Sequence, residues 1–219
     1  MSSWNRVFSY FPLLMTVATF AALGVFARDP SIWTTLLVAA VVYIVPPLVL
    51  RVMFRWAPLK LGVSTLESRK FSSWLAASHI QAFYDALPYL ESLLRVIPGF
   101  YSMWLRLWGS RVGYGVEWPV RMDVLDRNLM DIGNRVVFSH EVELSAHCRN
   151  KMETAASRIL VREVHVGSHA FIGTGARLDA GAAIPSNASV PEHAVIGVNI
   201  TFGGTAHHPA PEDAEFAAA

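Results

Sequence analysis

The chain has 219 residues, enough for one large or two small domains. Hydrophobic residues make up 53% and charged ones only 16%, a balance that suits a membrane protein better than a freely soluble one. A net charge of +1 argues against a broad electrostatic nucleic-acid surface, and the single cysteine, Cys148, excludes an intramolecular disulfide and a thiolate metal cluster.

Two uncharged stretches open the chain: Val7 to Ala27, between Arg6 and Arg28, and Pro30 to Leu50, between Asp29 and Arg51. Each runs about 21 residues, which as helix spans roughly 30 Å, the thickness of a bilayer's hydrocarbon core. With the tight Arg28-Asp29-Pro30 connection they read as a transmembrane helical hairpin within residues 1–55, kinked at Pro46 and Pro47. The first apolar run is too long for a cleaved signal peptide, and a second follows at once. Arg51, Arg55, Lys60, Arg69 and Lys70 follow the second span, against Arg28 in the loop. The positive-inside bias then places both termini and everything downstream in the cytoplasm, at an inner membrane.

Residues 56–110 read as amphipathic interfacial helices. Phe71, Trp74, Leu75, Phe83, Leu87, Leu90, Leu94 and Ile97 recur at mostly helical spacing, broken at Pro88 and Pro98. Phe100, Tyr101, Trp104, Leu105, Leu107 and Trp108 follow, interleaved with Arg95 and Arg106. Such composition favours a membrane interface, and the competing reading is a helical cap over the end of the next domain.

From Val166 the chain becomes strictly periodic. Val166, Ile172, Leu178, Ile184, Val190, Ile196 and Phe202 are six apart, and Ala170, Ala176, Ala182, Ala188 and Ala194 follow the first five by four places. Gly167, Gly173, Asp179, Pro185, Pro191, Gly197 and Gly203 fill a third register, read as bend formers. A period of six denotes a β-solenoid in which each hexad is one strand and one corner. The repeat starts earlier, at Val112, Trp118 and Val124, slips by two, and resumes at Ile132, Phe138 and Leu144. From Leu144 to Val166 is 22 positions, so an excursion over 149–162 leaves the coil and returns. The coil domain is assigned to 111–204 and a flexible tail to 205–219.

This pattern resembles the left-handed parallel β-helix of the hexapeptide-repeat acyltransferases, in which three hexads make one triangular coil. The segment from Ile97 to Gly109 looks like the junction of membrane-anchored members. The string Leu144-Ser145-Ala146-His147, the excursion, then Val166-Gly167-Ser168-His169-Ala170-Phe171-Ile172-Gly173 is similar to the maltose and galactoside O-acetyltransferases, where a histidine precedes such a loop. Phe171 replaces the tryptophan common there. The resemblance implies an acyltransferase with His147 as general base, acyl-CoA or acetyl-CoA as co-substrate, no metal, and a homotrimer whose sites lie between subunits.

Acyl transfer from a thioester to a hydroxyl needs a base for the hydroxyl proton, and imidazole titrates near neutrality. With three hexads per coil, the Leu144 hexad lies over the Val124 hexad, one strand spacing of roughly 4.8 Å away. Asp126 then falls beneath His147, as the candidate to orient it or to hold the acceptor hydroxyl, with Glu143 the alternative orienting carboxylate. Candidate donor-binding residues are Ser168, Gly173, Thr174 and Gly175, where small side chains admit a ligand to backbone N–H groups. The family closes with Gly-x-Pro-Ala and basic residues, whereas here no Lys or Arg follows Arg177. Phosphate contacts then fall to Lys151 or Arg158, and an acyl carrier protein is the alternative donor. Two membrane spans and an aromatic belt imply the bilayer as partner and an amphiphilic acceptor. The other readings are a zinc enzyme of the γ-carbonic-anhydrase type, for which no three-histidine spacing stands out, and a non-catalytic trimeric membrane scaffold.

Overall fold

The computed structural model describes residues 3–66, 71–151 and 157–203. The chain forms two compact units, Met1–Leu59 with Ser68–Pro88, and Lys60–Glu67 with Tyr89–Ala219. The expected tail over 205–219 lies outside the described residues.

In the first unit, α1 (Ser3–Ser9) and α2 (Phe11–Arg28) are separated at Tyr10. The break has a cause in Pro12, which cannot donate to the Phe8 carbonyl one turn back. Ser31 caps α3 (Ile32–Tyr43) with a capping box: its Oγ accepts from the Thr34 amide at 3.3 Å, and the Thr34 hydroxyl accepts from the Ser31 amide at 3.0 Å. A bend of 44° at Ile44 separates α3 from α4 (Val45–Trp56). Pro46 is the reason, since it has no N–H for the Val42 carbonyl. The hydroxyl of Tyr84, fully buried on α5 (Ser73–Ala86), donates to that carbonyl instead.

Helix α5 packs against α1, α2 and α4 and buries Ala76, Ala77, Ile80 and Phe83. Among the described residues, α2 is long and apolar enough to cross a membrane, and α3 with α4 passes the same test only as a bent pair. The kink expected at Pro46 and Pro47 is present as the break at Ile44, so the second uncharged run forms two short helices rather than one bent one.

The second unit begins with a departure from expectation. Within the 56–110 stretch, read as helical throughout, residues Gly62–Leu66 form a strand, β1. Two helices follow, α6 (Tyr89–Val96) and α7 (Phe100–Trp108). One face of α7 buries Tyr101, Trp104, Leu105 and Trp108. Arg106 donates to the carbonyls of Val112 and Gly113, at 2.8 and 2.7 Å, and the Trp118 indole donates to Ser102 at 2.8 Å. The helix thus closes the first coil, as the capping alternative requires. Tyr89, Leu93 and Val96 of α6, Ile97 between the helices, and Phe100 and Met103 of α7 are exposed.

The coils follow in order. The first has β2 (Arg111–Val112), a bridge at Glu117 and β3 (Met122–Val124); the second has β4 (Met130–Ile132), β5 (Val137–Phe138) and β6 (Val142–Leu144). The chain then leaves in β7 (His147–Lys151) and returns in β8 (Ser157–Val161). The third coil is β9 (Val164–Val166), β10 (Phe171–Ile172) and β11 (Arg177–Leu178), and the fourth β12 (Ala183–Ile184), β13 (Ser189–Val190) and β14 (Val195–Ile196).

All coil pairings are parallel and make three faces. Val112, Ile132, Val166 and Ile184 stack on one face, and Phe138, Ile172 and Val190 on the second. On the third face Val124, Leu144, Leu178 and Ile196 stack, so Leu144 does lie over Val124. Trp118 stacks on Phe138 at 4.8 Å between ring centroids. This three-sided parallel β-helix is compatible with the left-handed form.

The excursion is not an irregular loop. β7 and β8 pair antiparallel, and β1 adds to the far edge of β8, giving the order β1-β8-β7. Val63, Leu160 and Cys148 share one row of this sheet and pack on Ala180 and Val198 of the upper coils.

Candidate functional site

The site forms where the corners of the β-helix lose their regularity. In the regular hexads the third residue after the inward aliphatic takes a left-handed backbone. Gly115, Arg135, Glu141, His169, Gly175, Gly181, Asn187, His193 and Asn199 all have φ between +51° and +75°. The residue that turns the corner is thus two places beyond the Gly, Pro and Asp register that the sequence singled out. After Leu144 that place belongs to His147, which starts β7 instead of turning the corner. After Val124 the corner is two residues longer and contains Asp126 and Arg127, both buried. The two irregular corners lie on the same edge of the prism, one coil apart.

His147 Nδ1 lies 2.7 Å from Asp126 Oδ2. The same oxygen accepts from the Ala146 amide at 2.9 Å, and the Asp126 carbonyl accepts from the Leu129 amide at 3.0 Å. The carboxylate is 4% exposed and the imidazole 27%. An ionised carboxylate only accepts, so Nδ1 carries the proton and the basic lone pair is on Nε2. The His147 carbonyl accepts from the buried Ser145 hydroxyl at 2.9 Å, which fixes the backbone that aims the ring. The hairpin base is closed by the Arg162 amide donating to the Ala146 carbonyl at 2.9 Å.

The long corner is locked from the α6 side, a feature the sequence did not signal. Arg127 donates from Nε to Glu91 Oε1 at 2.8 Å, and its Nη2 bonds the same oxygen. The other oxygen of Glu91 accepts from Arg95 at 3.0 Å and from the Tyr101 hydroxyl at 2.7 Å. Arg95 also donates to the carbonyls of Val120 and Met122, on the chain entering β3. Burial first, then the charge of Glu91, pushes the Tyr101 hydroxyl pKa up, so it stays a donor. The Ser110 hydroxyl donates to the Arg127 carbonyl and accepts from the Met130 amide, tying down the far side of the corner.

Glu143 projects outward in the same column as Asp123 and Arg177, and its ion pair is with Arg177 at 3.9 Å. The carboxylate on the imidazole is therefore Asp126. The donor-binding candidates are spread over two other corners, where stacking accounts for them. A Cβ on Gly173 would stand 2.6 Å from the Glu192 amide nitrogen of the next coil, and one on Gly175 would stand 2.5 Å from the His193 ring. The Thr174 carbonyl accepts from the His193 amide at 2.8 Å, and the Ser168 hydroxyl accepts from the Asn134 amide at 3.0 Å. Lys151 and Arg158 lie on the hairpin that starts at His147, Arg158 opposite Asn150 and Lys151 opposite Ser157. The basic candidates thus share a sheet with the imidazole, while the glycine corners are packed by the neighbouring coil.

Asp131, Glu163 and His165 bring one ligand atom each within 4.8 Å, but Arg111 already bridges the two carboxylates at 3.0 and 2.7 Å. Burial alone would raise the Asp131 pKa, yet Arg111 and His165 hold it below the usual carboxylate range. Cys148, next to the site histidine, is half-buried, and burial followed by the charge of Asp179 pushes its thiol pKa up. That makes it a packing residue rather than a nucleophile.

No family model matches the chain, and no curated protein matches it. Among solved structures the chain is similar to a maltose O-acetyltransferase from Clostridium difficile 630, at 14% identity and TM-score 0.34 over 53% of this chain and 79% of that one. It is also similar to serine acetyltransferase isoform 3 from Entamoeba histolytica, at 15% identity and TM-score 0.33 over 90% of this chain and 71% of that one. Serine acetyltransferase from Neisseria gonorrhoeae is similar at 16% identity and TM-score 0.24, covering 91% of each chain. All three TM-scores are below 0.5, so the parallel register of the coils, and not these likenesses, carries the fold assignment.

Proposed function

We propose that this protein is a membrane-anchored acyltransferase with a left-handed β-helix. It moves an acyl group from a CoA or acyl-carrier-protein thioester to a hydroxyl or amine of an amphiphilic acceptor. The observation that supports this best is the His147–Asp126 pair at 2.7 Å, set at the one edge where two successive corners are irregular. In this reading Nε2 of His147 takes the acceptor's proton as its oxygen or nitrogen bonds to the thioester carbonyl carbon. The proton then passes to the departing thiolate as the carbon–sulfur bond breaks. Asp126 holds the ring and offsets the positive charge that the imidazole gains. Lys151 and Arg158 are the donor-phosphate contacts of this reading, while the packing of Gly173 and Gly175 favours a structural role for that corner.

The apolar helix α2, the broken pair after it and the exposed row Tyr89, Leu93, Val96, Ile97, Phe100 and Met103 support attachment to a bilayer. Arg51, Arg55 and Lys60 after the second apolar stretch, against Arg28 before it, support a cytoplasmic second unit at the inner membrane. Exposed Phe171 and Val195 on outer faces of the prism support a homotrimer.

The test is thiol release from acyl-CoA by the full chain in detergent with a long-chain alcohol as acceptor. Release that depends on the acceptor and disappears in His147→Ala, with the oligomer mass unchanged, is the expected result. Undiminished release in His147→Ala overturns the reading. The zinc-enzyme alternative requires stoichiometric zinc in the purified chain.

A further inference from the structure

The corner that carries Asp126 is longer than its neighbours, so the hexad register that places each regular corner does not place this one. The ladder between coils runs up to Leu125, whose amide donates to the Leu144 carbonyl at 3.0 Å. It is taken up again at Leu129, whose carbonyl accepts from the Val164 amide at 3.1 Å. Asp126 lies in between, and it meets the imidazole through Oδ2, the oxygen that also accepts from the Ala146 amide. A displacement of that one oxygen loosens both bonds.

The segment around Asp126 is clamped at both ends, and the clamp has one centre. Upstream, Arg95 donates to the carbonyls of Val120 and Met122, at 3.2 and 2.9 Å. Downstream, Arg127 donates from Nε to Glu91 Oε1 at 2.8 Å and bonds the same oxygen through Nη2. The other oxygen, Oε2, accepts from Arg95 at 3.0 Å and from the Tyr101 hydroxyl at 2.7 Å. One buried carboxylate on α6 is thus joined by a guanidinium to each end of the stretch from Met122 to Arg127. Charge-assisted bonds of this kind are short and directional, and burial strengthens them.

We propose that Glu91 is a positioning residue for the His147–Asp126 pair: through Arg95 and Arg127 it fixes where the Asp126 carboxylate stands, without touching a substrate. Its effect on rate rests on the acyltransferase reading. Its effect on the imidazole rests on the geometry of the clamp.

The Nδ1 proton of His147, shared with a carboxylate at 2.7 Å, resonates far downfield and reports the contact in the resting protein. It is read by NMR on the full chain in micelles with isotope-labelled histidine, and assigned by its loss in His147→Gln. Glu91→Gln keeps the size and one acceptor oxygen but removes the charge. In that variant the proton is expected to exchange with water about tenfold faster, the equivalent of weakening one bond to a charged group. Arg127→Lys keeps the charge and loses the fork; it has the same effect, and carries the test if Glu91→Gln does not fold. Combining the two adds little to either, since both act along one path. Val190→Ala, a core truncation in the last coil, lowers the unfolding midpoint and leaves the proton as in the wild type. In the transfer assay Glu91→Gln lowers kcat by about tenfold or more at unchanged KM, since misplacement of a catalytic group by about 1 Å costs on the order of a hundredfold.

A proton unchanged in both Glu91→Gln and Arg127→Lys overturns the proposal, as does equal loosening in Val190→Ala. If the proton responds and the wild type consumes no thioester, the positioning stands and the acyltransferase reading falls. If transfer proceeds and Glu91→Gln raises KM alone, the positioning falls and the acyltransferase reading stands.

Discussion

Arg127 and Glu91 face each other with no solvent between them: the guanidinium donates twice to one carboxylate oxygen, and both side chains are at most 5% exposed. Arg127 is the immediate neighbour of Asp126, so an ion pair reaching from α6 determines where the site carboxylate stands. Removing one partner of a buried pair leaves an uncompensated charge, at a cost of about 3–5 kcal/mol. Glu91→Ala is expected to lower stability by that amount in urea unfolding of the full chain. Glu91→Asp, which keeps the charge, should retain more of the stability.

Truncating the imidazole tests the chemistry itself. A positioned general base contributes about 10²–10⁴-fold. His147→Ala should lower kcat for acyl transfer within that range and cost less stability than Glu91→Ala, because the ring is partly exposed and the Asp126 carboxylate keeps the Ala146 amide. Asp126→Asn should lower kcat less than the histidine change, but cost more stability, since its carboxylate also accepts from the Ala146 amide.

The Tyr84 hydroxyl stands in for the amide that Pro46 lacks, and this predicts a coupling. Leaving the Val42 carbonyl without a donor costs about 1–3 kcal/mol, so Tyr84→Phe should destabilise the first unit by that order. Restoring a backbone donor with Pro46→Ala should reduce the cost of Tyr84→Phe. A double-mutant cycle on unfolding in micelles reads the coupling, and strict additivity contradicts it.

Gly173 distinguishes packing from ligand binding. A methyl group there meets backbone of the next coil, so Gly173→Ala should cost about 1–3 kcal/mol in a thermal melt without any thioester. Wild-type stability combined with lost thioester affinity would instead mark the corner as a ligand seat.

Cys148 has a pH signature. A raised thiol pKa leaves less thiolate at any given pH, so alkylation by iodoacetamide should run slower than for a free thiol between pH 7 and 9. The rate should climb only above that window. Asp179→Asn removes a charge that raises the pKa, and should speed the reaction.

The coil architecture was legible because a period of six is a local property of the chain, and the stacking of Leu144 on Val124 follows from counting hexads. That count also brought Asp126 to His147, since the slip of two and the excursion fall at the same edge. Glu91 was not legible: four residues before Arg95 it looks like an ordinary helix-surface pair, and nothing local tells that Arg127 will bury it. Strand β1 escaped for a similar reason, because its partner β8 comes some ninety residues later. The corner position was misread because the left-handed residue is Gly, Asn, His, Arg or Glu by turns. A cost of about 1–2 kcal/mol at a single corner can be absorbed by the stack, so no one residue type marks it.

The chain leaves the helical unit at Lys60, lays β1 against β8, and goes back at Ser68. No single cut therefore separates the two units. A fragment starting at Tyr89 would keep every coil yet strip the outermost strand from the sheet that begins at His147, baring a row of backbone amides and carbonyls along β8. Such an open margin invites pairing with other molecules, so a shortened, water-soluble version should clump unless residues 60–67 are grafted back onto it.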